Sequence, residues 1–393
     1  MKIGNRLGIG LMAAVIVLAG CGGGSTATTT GTKTPYKLTL STDLSGPFSA
    51  VAGISYAEGF EAWMTHVNST GGINGHKVEM DVMDDRSDVT TGLANYQKAL
   101  NSDSLAFLLT AASAINGPLG PKANADHFVM STPIFNGGQN IPDYVYDFNF
   151  SASLAASVIV KFAESKATAG AGKKVAFISY DTPSQRASIP VLEALFKTKG
   201  WTTVYNQFVP QTSVDFSVAG AQISGLKPDF VIGNMLDSQF AGFVTSIRSR
   251  GLDAPVSNFT ANIAGTTWAK INDPNVFAPT PVPSLADLSI PAVKDLNDIA
   301  KESGHTQGMG IPAWAVTYVH AQVVAAALAK CSDPCTREKF NTALGNTTVD
   351  PHGLMVGRPG YTPTDKTLEK GLAIIAYDAK KGLTTPVTGF GFA

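Results

Sequence analysis

An α/β protein of two units, each a parallel sheet covered by helices on both faces, is the fold class this sequence predicts. Two observations carry it. Strand and helix patterns alternate from Tyr36 onward, and the alternation restarts after Phe150. The chain of 393 residues is also too long for one small core. Charged residues make up 15% and hydrophobic ones 44%, which is a globular balance. A net charge of −1 leaves no nucleic-acid footprint.

The first stretch is not part of that fold. Lys2 and Arg6 precede an almost wholly apolar run from Leu7 to Leu18, and the run ends in Leu18-Ala19-Gly20-Cys21. A basic start, a short apolar core and small residues before a cut make a secretory signal, assigned to residues 1–20. The quartet resembles a bacterial lipobox. That resemblance implies cleavage before Cys21 and a diacylglycerol on its sulfur. Residues 21–35 lack charge until Lys33 and nearly lack apolar side chains, so they read as a tether. No later apolar segment is expected to be long enough to cross a membrane.

In the first unit, "YKLTLST" is a short strand. "AGISYAEGFEAWMTHVNSTGG" places Ile54, Ala57, Phe60, Met64 and Val67 at helical spacing and stops at Gly71 and Gly72. "KVEMDVMDD" is a strand, "SDVTTGLANYQKALNS" a helix capped by Ser87 or Asp88, and "LAFLLT" a buried strand. "NGPLGPKANAD" is a short helix and "HFVMSTP" a strand. In the second unit, "KKVAFISY", "TTVYNQFV", "PDFVIGN" and "APVSNF" are strands separated by helices. "PTPVPS" (Pro279 to Ser284) is rigid and poorly suited to a sheet interior, so it is expected to be a crossover. Three helices follow. "KGLAIIAYD" is expected to end the chain as a strand. Cys331 and Cys335 pair as a disulfide or form a CxxxC metal or redox site. The exported setting, and the lack of a nearby paired His or further Cys, favour the disulfide.

The segment "LSTDLSGPFSAVAGISYAEGFEAWMTHVNSTGGINGHKVEMDVMDDRSD" resembles the opening of the type I periplasmic binding proteins of the leucine/isoleucine/valine class. "AFLLTAASA", "MSTP", "KVAFISYD", "PDFVIGN" and "WAVTYVHAQ" continue the likeness over nearly the whole mature chain. It implies two lobes joined by three hinge crossovers that close over a solute. The expected division is 36–150 plus about 284–365 for the first lobe, and 151–283 plus about 366–393 for the second. It implies a solute-binding lipoprotein of an ABC importer, anchored outside the cytoplasmic membrane. The partners are then a small-molecule ligand and a membrane permease, with no cofactor, no metal and a monomeric state. A ligand-binding sensor of the same fold is the alternative. An enzyme is the remote one, because no GxSxG, HExxH or P-loop pattern occurs.

Ligand residues follow from the same likeness. Ala112 and Ser113 stand where the class meets a ligand carboxylate, at a helix start that favours an anion; Ser113 also reads as a plain cap. Asn136 and Gly137 follow "MSTP", with Asn136 where the class often has Thr. Phe48 walls the pocket or packs in the core. Ser184 stands near the position of a stacking aromatic. Arg186 is a bidentate carboxylate clamp or a solvated helix-terminus charge. The class sets an acid opposite a ligand ammonium, yet Asn258, Phe259 and Thr260 occupy that stretch. Asp237 is the nearest substitute, with a helix cap as its other reading. Met235 and Phe259 then suit an apolar or aromatic ligand body.

Overall fold

A computed structural model describes residues 33–133, 138–167, 172–260 and 262–387. The leader, the tether and Cys21 lie outside the described residues. The first half runs β1 (Lys33–Thr42), a π-helical turn at Ser49–Gly53, α1 (Ile54–Ser69), β2 (His76–Asp84), α2 (Val89–Leu100), β3 (Ala106–Leu108), α3 (Ser113–Ala125), β4 (Val129–Thr132) and β5 (Val145–Asp147). Then come α4 (Ala152–Lys166), β6 (Lys173–Tyr180), α5 (Pro183–Thr198), β7 (Trp201–Val209), α6 (Ser217–Leu226), β8 (Phe230–Asn234), α7 (Asp237–Arg248), β9 (Val256–Asn258), α8 (Gly265–Ile271) and β10 (Val276–Thr280). The last part holds α9 (Pro291–Ser303), α10 (Pro312–Lys330), α11 (Arg337–Leu344), the short pair β11 (Thr347–Thr348) and β12 (Gly360–Tyr361), β13 (Ala373–Asp378) and β14 (Leu383–Pro386).

Two main sheets result. One has the order β2-β1-β3-β4-β5, the other β14-β13-β10-β9-β8-β6-β7. The chain passes between them three times: after β5, after β10 and after β12. Strand pleating sorts the core. Ala106 and Leu108 of β3 face the layer with α1 and α10, while Phe107 between them faces Tyr96, Ile115 and Phe128. Phe230 and Ile232 of β8 likewise join one layer and Val231 the opposite one. Strands buried on both faces are why these runs read as continuously apolar.

Three expectations need correction. Pro279 and Thr280 belong to β10, in register with Ile374 and Ala373 of β13. The ladder from β10 to β9 ends at Phe277, so that side asks no donor of Pro279. "KGLAIIAYD" does not end the chain, because β14 pairs back on β13. And α10, at 19 residues, is long and apolar enough to cross a membrane; it is instead a core helix, with Trp314, Thr317, Tyr318 and His320 among its buried residues. It lies so close to α1 that a Cβ on Gly59 would stand 2.1 Å from the Trp314 carbonyl oxygen. At its end Cys331 and Cys335 are joined, their Cα atoms 5.5 Å apart.

Candidate functional site

The carboxyl ends of β1, β2, β3, β6, β8 and β9 open toward one another around a cavity of about 260 Å³. Strand ends are where open α/β sheets leave a crevice, because the connecting loops diverge there. Each loop is shaped by its own sequence. Asp43, fully buried, accepts hydrogen bonds from the amides of Gly46 and Phe48 and from Ser87 Oγ, the last two at 2.9 and 2.7 Å. It thereby fixes two lining residues, Phe48 and Ser87. Arg86 and Ser87 both hold positive φ, 53° and 54°, a conformation costly for residues with a Cβ. Asp84 Oδ1 takes the Arg86 amide at 3.0 Å and Asp85 Oδ1 the Ser87 amide at 2.8 Å. Burial, with Asp43 and Asp84 adding to it, pushes the Asp85 carboxyl up to about 6.

On the same wall, Leu109 (φ 71°) turns the chain out of β3. Ala111, Ala112, Ser113 and Ala114 then line the cavity. Ala112 is the cap position of α3 and has no side chain to close it. The first amides of α3 therefore offer donors and a positive helix end to the cavity. On the other wall, Thr182 caps α5 by accepting from Gln185 N, and Pro183 and Ser184 line the cavity behind it.

The cavity is nearly free of charge. Among the described lining residues only Asp181 is charged. Arg186 grips it through Nε and Nη2, the latter at 2.7 Å from Oδ2, and holds its carboxyl below the usual range. Around this lie Tyr56, Asn149, Tyr180, Asn234 and Asn262. The arrangement suits a small solute with one anionic group and a neutral, partly aromatic body.

Of the residues expected from sequence, Phe48, Ala112, Ser113, Ser184 and Met235 line the cavity. Asn136 and Gly137 lie outside the described residues. Arg186 does not line it; besides holding Asp181, it stacks 4.7 Å from the Phe208 ring centre. Asp237 does not line it either. Its carboxylate accepts from Ala264 N at 2.8 Å and Thr267 Oγ1 at 3.0 Å, fastening the start of α8 rather than capping its own helix. Phe259 is buried in the core, 5.7 Å from the ring of Phe150, and its neighbour Thr260 faces the cavity instead. Sequence reasoning missed Tyr180 and Asn234, the last residues of β6 and β8. Their position at a strand end was the signal available.

A sequence profile of the periplasmic binding protein family matches residues 35–382. Several solved structures have a similar fold. One is a fatty acid ABC transporter substrate-binding protein from Thermomonospora curvata (TM-score 0.78, 20% identity, covering 92% of this chain and 94% of that one). Another is a branched chain amino acid ABC transporter protein from Thermus thermophilus with bound valine (0.78, 18%, 91% and 96%). A third is a solute binding protein of an ABC transporter from R. palustris in complex with 4-hydroxybenzoate (0.75, 17%, 90% and 95%).

Proposed function

The chain belongs to the periplasmic binding protein family, and we propose that it captures a small carboxylate- or amide-bearing solute outside the cytoplasmic membrane and delivers it to an ABC importer. One observation carries this reading. The uncapped start of α3 faces a nearly uncharged cavity shared by loops from both sheets. A carboxylate there receives backbone donors and a favourable dipole, and hinge closure removes it from water. The solutes named for the similar structures, a fatty acid, valine and 4-hydroxybenzoate, all carry a carboxylate. Capture rather than catalysis fits the lining, which includes three serines but no histidine among the described residues. In this reading Cys21 carries the lipid that keeps the protein beside its permease. Labelled fatty acid should enter the wild type and not Cys21→Ser.

The test is thermal denaturation of the full chain with benzoates, branched aliphatic acids, fatty acids and amino acids. A solute at 100 times its Kd adds about 2.7 kcal/mol to the folded state. If no carboxylate or amide raises Tm, the capture reading falls.

A further inference from the structure

Away from the cleft, α1 and the turn after α9 bring three metal-ligating side chains to one spot. Glu58 and Glu61 stand three residues apart on one face of α1. His305 follows Gly304, the left-handed residue that ends α9, and its own amide donates back to the Ala300 carbonyl. Each of the three offers a ligand atom, and these atoms lie within 4.8 Å of one another. None of the three lines the cleft cavity.

The turn is fastened to the helix that carries the acids. The Gln307 amide donates to Glu58 Oε2 at 3.1 Å, and Ser55 Oγ donates to the Gly308 carbonyl at 3.1 Å. A Cβ on Gly308 would stand 2.5 Å from Ser55 Oγ, so the approach is as close as a glycine permits. The imidazole is oriented too. Its Nε2 lies 3.5 Å from Thr65 Oγ1, on the same face of α1, and its Nδ1 lies 3.6 Å from Glu58 Oε1. In a neutral ring whose Nε2–H points to Thr65, Nδ1 is a bare lone pair facing a carboxylate oxygen. Two acceptors then face each other. Their separation is longer than a hydrogen bond, and near the about 3.4 Å between two ligands of a tetrahedral zinc ion.

Glu61 adds a second charge at the same place. It is half-buried, and no hydrogen-bond donor reaches it among the described residues. Burial first pushes its carboxyl up, and Glu58 adds to this against the pull of His305. Two carboxylates beside a neutral imidazole carry the charge that a divalent ion cancels. Mixed nitrogen and oxygen donors suit zinc and its first-row neighbours, whereas calcium and magnesium favour oxygen alone.

We propose that Glu58, Glu61 and His305 form a site for one divalent transition-metal ion of the zinc type, which ties the turn after α9 to α1. Gln307 and Thr65 hold two of the ligands in place from behind. The proposal does not depend on the solute reading.

The experiment is competition for Zn²⁺ between the full chain and a chromophoric chelator near neutral pH, with no solute present. The wild type should withdraw one equivalent, with a micromolar or tighter Kd. Glu61→Gln and His305→Ala should each weaken binding tenfold or more. His352→Ala, which removes an exposed imidazole beside Asp350, should leave the affinity within about twofold. X-ray absorption of the zinc-loaded wild type should show one imidazole and otherwise oxygen donors. Should His305→Ala fail to fold, the shape-preserving Glu61→Gln and the absorption spectrum still decide. A wild type that withdraws no Zn²⁺ overturns the proposal. So does binding that both variants keep, a sulfur or second imidazole in the spectrum, or displacement of the zinc by an equal concentration of Mg²⁺.

Discussion

The two walls of the cleft handle their acids differently. On the wall from the five-stranded sheet, Asp43, Asp84 and Asp85 turn inward and accept from the loop amides that carry Phe48 and Ser87. On the wall from the seven-stranded sheet, Asp181 and Asp237 bind other parts of their own lobe and leave the loops to be closed by caps. An acid beside a cleft is thus scaffold wherever backbone donors or a cation reach it.

The sharpest way to break that contrast is Asp43→Ala. It strips three acceptor contacts from a fully buried position, and bonds to a charged acceptor contribute about 1.5–3 kcal/mol each without adding fully. A loss of about 4 kcal/mol in urea denaturation is expected, with weaker solute binding. A loss under 1 kcal/mol would mean the loop holds itself. Next is Asp85. Its folded-state pKa is raised to about 6 from 3.8, so the folded protein holds that proton more tightly than the unfolded chain. Stability from this group is full at low pH and falls as pH rises from about 4 through about 6, by about 3 kcal/mol. Asp85→Asn should flatten that fall in denaturation curves taken across this range; an unchanged slope would assign it elsewhere. On the opposite wall, Asp237→Ala should cost about 2 kcal/mol, because the Ala264 amide and Thr267 hydroxyl lose their acceptor. Calorimetry should then show solute binding unchanged; a selective loss for amine-bearing solutes would make Asp237 the partner of an ammonium group. Smallest is Arg186→Ala. Its exposed pair with Asp181 should change stability by less than about 1 kcal/mol. A large loss of solute affinity there would restore the carboxylate clamp.

Much of this architecture was legible because apolar periodicity survives folding. The helix at Ile54 and the strands at Val175 and Phe230 are written in their own residues. What escaped depends on partners distant in sequence. β5 and the pair β11–β12 span only two or three residues each and are defined by their neighbours. Pro279 enters a sheet because the next strand stops short. The site follows the same rule. Ser113 and Ser184 could be placed because they start helices after strands. Asp237 looked available because its acceptors' partners, Ala264 and Thr267, lie across the lobe. Glu369 sits beside Lys370 in "LEKG" and two positions from Thr367, a setting that reads as solvated loop. Its burial is made by Tyr56, Pro281 and Pro312, from three other parts of the chain.

The order of the strands also fixes when folding can finish. The five-stranded sheet needs α10 against it, and the seven-stranded sheet needs β13 beside β10. During synthesis or passage through an export channel, the chain emerges in order. The five-stranded half lacks α10 until Lys330 is out, and the seven-stranded half lacks β13 and β14 until Pro386 is out. The early strands must stay unaggregated over most of that interval, so a chaperone or the channel itself has long exposed apolar surface to guard. The strands of the five-stranded sheet thus wait through the whole of the second sheet's first five strands for the helix that covers them.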